Sequence, residues 1–119
     1  MEKFIFIFRN DPSTYQTSSP EALQADLARW MTWMNTLAES GKLAGGEQLM
    51  LEGRVITGAK QIITDGPFTE AKEIVGGYAI INAETMDEAV EIAKGCPDVS
   101  ADGLGRGSVE IRQIAVENF

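Results

Sequence analysis

Histidine is absent from the chain, and cysteine occurs once, as Cys96. The first absence removes the commonest metal ligand and the commonest acid–base group near neutral pH. The two together rule out a Cys–His nucleophile pair and leave too few soft ligands for a zinc site. A single thiol cannot close an intrachain disulfide, so a reducing cytoplasm is the expected compartment. Basic residues are also scarce, 10 Lys and Arg against 18 Asp and Glu, for a net charge of -8. That balance argues against nucleic acid or an anionic membrane as the main partner, since both need a basic face. The N-terminal FIFIF is far short of a membrane-spanning helix or a signal-peptide core. Walker and Rossmann fingerprints and metal-ligand spacings are missing, so no metal and no cofactor is expected.

What is present describes one domain over 1–119, ordinary in composition at 44% hydrophobic and 24% charged residues. KFIFIFR (3–9) is β-prone and apolar on both parities, with Phe4, Phe6 and Phe8 on one face and Ile5 and Ile7 on the other. A strand of that kind is covered on both sides and central in its sheet. Ser19-Pro20-Glu21 has the form of an N-cap, a first-turn proline and a first-turn acid. Apolar positions then run Leu23, Leu27, Trp30, Met31, Met34, Leu37 and Ala38, an amphipathic helix closed by Gly41, with Trp33 off the stripe. Leu43 to Leu51 reads as a strand in which Gly45-Gly46 marks a bulge or a close backbone approach. RVIT and QIIT form a small hairpin. EIVGGYAIINA (73–83) is another two-sided strand, Thr85-Met86-Asp87-Glu88 is a capping box opening a second helix, and SVEIRQIAV (108–116) is the last strand.

The order is β-α-β-(hairpin)-β-α-β, which predicts an α+β ferredoxin-like sandwich with an inserted hairpin. Two helices cover one face of such a sheet. The second face is apolar as well, and phenylalanines are worth about 1.5–3 kcal/mol each when buried. A second subunit laying its sheet on this one answers that need, so a homodimer is expected.

Candidate site residues lie in two places. The segment DGPFTEAKE (65–73) begins as turn chemistry and packs Asp65, Glu70, Lys72 and Glu73 closely together, followed by Gly76-Gly77-Tyr78. The double glycine removes side chains from a tight strand, and Tyr78 offers a ring and a hydroxyl beside the gap. On the last strand, alternation places Ser108, Glu110 and Arg112 on one face. A solvated Glu110/Arg112 neighbour pair is the plain reading, and surface charge pairs are weak signals. In a partly closed space between two sheets, Arg112 becomes an anion clamp instead. The geometry to be expected then has Asp65 approaching the Glu110/Arg112 end of the strand, with Tyr78 near by.

DGPFTEAKE, GGYAIINAETMDEAVEIAKGCP, GSVEIRQI and the earlier GGE (45–47) together resemble the DGPF-type members of the YCII-related family, over nearly the whole chain. The resemblance implies a dimeric α+β barrel of ferredoxin-like subunits in a bacterial cytosolic protein, often linked to extracytoplasmic-function sigma factors. Relatives have been suggested to be enzymes because a His–Asp pair lines a pocket. Asp65 corresponds to the Asp of that pair, and no residue here corresponds to the His. Acid–base chemistry would rest on Asp65 with Glu47, Glu110 or Tyr78, and carboxylates need burial to reach a useful pKa.

Three readings follow. One is a dimer that binds a small polar or anionic metabolite in a cleft near the DGPF motif, using Glu47, Lys72, Tyr78, Glu110 and Arg112. Another is an enzyme of the dimeric-barrel type with Asp65 as acid or base. The third is a non-catalytic accessory dimer tied to sigma-factor signalling. The missing histidine shifts weight from the second to the first.

Overall fold

The computed structural model describes residues 1–66, 73–100 and 107–116. Among them the elements run β1 (Glu2–Asn10), α1 (Ser13–Thr17), α2 (Pro20–Glu39), β2 (Leu43–Gln48), β3 (Gly53–Thr57), β4 (Ile62–Gly66), β5 (Ile74–Ala83), α3 (Met86–Ala93) and β6 (Gly107–Gln113). Four strands form one antiparallel sheet in the order β2-β5-β1-β6, and β3-β4 form a separate two-stranded sheet. This is the ferredoxin-like arrangement with an inserted hairpin. The two strands read as apolar on both parities, β1 and β5, are the two central ones.

Cross-strand pairing explains the alternation. Phe4 faces Ile81 on one side and Gln113 on the other, Phe6 faces Ala79 and Ile111, and Phe8 faces Gly77 and Val109. These residues line the face under α2 and α3, and Phe4, Phe6, Ile81 and Cys96 are fully buried there. Phe8 meets Trp30 and Trp33 edge to face, at ring-centroid distances of 5.0 and 6.0 Å. Edge-to-face stacking of this kind adds about 0.5–1.5 kcal/mol per pair beyond simple burial.

The inward stripe of α2 differs from the one read in the sequence. Leu27 and Met31 are exposed, and Trp33 packs on the core cluster. Asp26 occupies a core-facing position and is buried. The inward series is therefore Asp26, Trp30, Trp33 and Leu37, in steps of four, three and four, and Met34 of the stripe read in the sequence packs on the same cluster. A carboxylate in an otherwise apolar stripe hid its true phase.

Local signals for the element ends hold. Ser19 Oγ accepts from the Ala22 N–H at 3.1 Å, and Pro20 opens α2. The polar turn before it contains the short helix α1, set up by Asp11 Oδ1, which accepts from the Ser13 N–H at 2.9 Å and from its hydroxyl at 2.7 Å. At Gly46 a Cβ would lie 2.6 Å from the Tyr78 carbonyl oxygen, so only glycine lets β2 close on β5. The register of that pair shifts between Leu43 and Gly45, the bulge read from the paired glycines.

Thr85 Oγ accepts from the Glu88 N–H at 3.1 Å at the start of α3. Glu88 also takes Lys42 Nζ at 2.9 Å, a bond that holds its carboxyl below the usual range. Thr85→Ala should cost about 0.5–2 kcal/mol. Urea denaturation measures this, and an unchanged midpoint would mean that packing alone fixes the start of α3.

Candidate functional site

The second face of the four-stranded sheet carries the other parity. Ile7 of β1 pairs with Tyr78 of β5 and with Glu110 of β6, and Tyr78 pairs in turn with Glu47 of β2. Directly opposed residues of antiparallel strands project to the same side. Glu47, Tyr78, Ile7 and Glu110 thus form one row across the whole sheet, spanning about 14 Å at the usual strand spacing. The next row sets Gly45, Ile80, Ile5 and Arg112 side by side. Three of the residues singled out in the sequence share a row, and a fourth lies in the row beside it.

Glu110 already has a partner. Arg9 Nη1 donates to its Oε1 at 2.5 Å, with the side chains 34% and 41% exposed. Arg9 was not among the residues expected at the site. Its signal was its place on β1, two residues beyond Ile7 on the open parity. A half-exposed ion pair contributes little to stability, typically 0–1 kcal/mol. At the row's other end Glu47 is exposed, Tyr78, Ile5, Ile7 and Ile80 are half-buried, and Arg112 is exposed. Ser108 Oγ donates to Glu73 Oε2 at 3.3 Å, tying the start of β6 to the residue before β5. The face offers an apolar centre of three isoleucines with a phenol, carboxylates and guanidinium groups around it.

Asp65 lies elsewhere, in the hairpin sheet. Its Oδ1 is 3.3 Å from Arg54 Nε, and the two side chains are 90% and 66% exposed. Among the described residues Asp65 forms its ion pair with Arg54, and Glu110 forms its own with Arg9. Asp65 stands in β4, paired to Arg54 across the hairpin. Lys72 falls outside the described residues, as does the rest of the segment 67–72. The hairpin itself exposes Ile56, Ile62 and Ile63, and a two-stranded hairpin is marginally stable on its own.

Cys96 is fully buried, and burial pushes its thiol up to about 12. Thiolate is the reactive form, so the native protein should resist iodoacetamide at pH 8 and react once unfolded. Fast labelling of the native chain, read by mass spectrometry, would contradict that. Among the described residues no group of three or more Cys, Asp or Glu side chains is placed to hold a metal ion. No helix among them is long and apolar enough to cross a membrane.

The YCII-related domain matches over residues 3–117. The chain belongs to that family. An uncharacterised protein of Rhizobium meliloti (strain 1021) is 29% identical over 111 residues, 90% of this chain and 87% of the relative. Among solved structures, the YCII-related fold is similar to TftG, the 5-chloro-2-hydroxyhydroquinone dehydrochlorinase of Burkholderia phenoliruptrix AC1100, in complex with 2,5-dihydroxybenzoquinone. The TM-score is 0.55 at 17% identity, covering 95% of this chain and 93% of that one. At that identity the likeness speaks for the fold alone.

Proposed function

We propose that this YCII-related protein is a homodimer that binds a small polar or anionic metabolite on the open face of its four-stranded sheet. The observation that carries the reading is the row Glu47–Tyr78–Ile7–Glu110, set beside Ile5, Ile80 and Arg112. An apolar floor with a few convergent polar groups is the usual composition of a small-ligand site. A partner's sheet supplies the roof and removes water, which turns weak surface charges into effective anchors. Arg112 meets the anionic end of the ligand, and Tyr78 and the Arg9–Glu110 pair fix its orientation. Asp65, Glu47 and Lys72 remain candidates for the rim.

A second reading, an enzyme acting on a small organic substrate, draws support from the dehydrochlorinase with its bound dihydroxybenzoquinone. On that reading Glu110 and Tyr78 are better placed than Asp65. Both stand in the row across the open face, whereas Asp65 is 90% exposed on the hairpin.

The test is a thermal-shift screen of small carboxylates and hydroxylated rings, 2,5-dihydroxybenzoquinone included, followed by calorimetry. A compound that raises the midpoint should bind at least tenfold more weakly, about 1.4 kcal/mol, to Arg112→Ala or Tyr78→Phe. Full retention of affinity by both variants would remove the site from this face. Recovery of the compound chemically altered would decide for the enzyme.

A further inference from the structure

Away from the open face, on the helical side of the sheet, two carboxylates are buried, and the charge of one acts on the other. Asp26 projects inward from α2 and is 3% exposed; Asp98, in the turn after α3, is 4% exposed. Each has one oxygen shielded from solvent and without a hydrogen-bond partner, Oδ1 of Asp26 and Oδ2 of Asp98. A buried ionised carboxylate left short of donors is strongly disfavoured. The salt bridges formed among the described residues are Arg9–Glu110, Lys42–Glu88, Arg54–Asp65 and Lys94–Glu91, so no cation found there neutralises either acid.

The surroundings hold Asp98 in place without supplying a proton. From β1, Asn10 makes a side-chain hydrogen bond to it. From β6, Gly107 brings no side chain at all, and a Cβ there would lie 2.9 Å from that of Asp98. The Gly107 N–H donates to the Asp98 carbonyl at 3.2 Å, so the turn is fastened to the start of β6. Its own turn contributes Cys96, whose buried thiol stays protonated and neutral. α2 contributes Asp26. The ends of β1 and β6, the helix α2 and the turn after α3 all meet at this point.

We infer that Asp98, buried with an oxygen that finds no donor and facing the charge of Asp26, takes up a proton in the native state and so acts as a proton-dependent latch between α2 and the ends of β1 and β6. A proton is the one ligand small enough for oxygens with no exposed surface, and like charges brought together favour one protonated and one ionised member. Burial, and next the charge of Asp26, push Asp98 from 3.8 up to about 6, while the bond to Asn10 acts in the opposite direction. The native state therefore binds more protons than the unfolded chain between about 3.8 and 6. The latch stabilises fully below the unfolded value and is lost as pH rises through the folded value. Above it the dianionic pair repels and the joint loosens.

Carboxyl carbon NMR on the uniformly labelled full chain tests this directly. The Asp98 resonance should titrate with a midpoint near 6. In Asp26→Asn the Asp98 midpoint should move down towards 3.8. In Asp98→Asn, which mimics the protonated acid, the fall in melting temperature between pH 4 and pH 7 should shrink and stability at pH 8 should rise. Titration of Asp98 near 3.8 in the wild-type chain would overturn the inference, whether or not the variants fold.

Discussion

Phe6→Ala is expected to lower stability by about 3–5 kcal/mol. Phe6 is 0% exposed and sits in the middle of the central strand β1, opposite Ala79 on β5 and Ile111 on β6. Both neighbours are fixed by ladder hydrogen bonds, and the helices above pack Trp30, Trp33 and Ile92 against the same cluster. Little of that shell can collapse into the space left by a benzyl group, so the transfer loss and the cavity loss add. Roughly 5–15 kcal/mol is the whole stability of a typical domain, and the variant should unfold at a far lower urea concentration. A loss below about 1 kcal/mol would mean that the core relaxes around the hole. The residue one step along the strand gives a different result.

Ile7→Asp should leave the subunit fold standing and abolish the dimer. Ile7 points to the other face, where it is half-buried in the single chain between Tyr78 and Glu110. A carboxylate at that point keeps its water in the separate subunit and costs the fold little. Under a partner's sheet it would be desolvated beside Glu110, a like charge. Burying an unpaired charge of that kind is penalised by several kcal/mol, enough to dissociate the pair at micromolar concentration. The variant should sediment as a monomer while keeping its secondary structure by circular dichroism. It should also lose the ligand, because the proposed function puts the interface and the ligand on the same face. A variant that stays dimeric would place the interface elsewhere, with the exposed Ile56, Ile62 and Ile63 of the hairpin the next surface to consider.

That β1 carries two apolar faces was legible in the sequence, though not which of them, the Phe6 face or the Ile7 face, lies under the helices. Strand periodicity is two, so five consecutive apolar residues report a strand with two apolar faces and, through that, its central place between β5 and β6. The capping residues Ser19 and Thr85 and the paired glycines before Glu47 were equally readable, because each acts through bonds or clashes within a few residues. The site was less accessible. Glu47, Tyr78 and Glu110 were chosen separately, and only the register of three strand pairs aligns them in one row. Arg9 was missed because its partner is 101 positions away. Asp26 was missed because periodicity arguments follow apolar residues, and a buried acid on the inward face looks like a gap in the stripe. Asp65 drew attention through its motif, and its ion pair with Arg54 depends on a strand pairing that the motif does not reveal.

Sedimentation equilibrium of the wild-type chain at micromolar concentration is the most direct measurement of the main claim, that a second subunit covers the sheet's open face. About twice the 12.9 kDa chain mass is expected, with the assembly lost in Ile7→Asp. A mass of 12.9 kDa across the concentration range would contradict it, because Ile5, Ile7, Tyr78 and Ile80 would then face water in a stable monomer.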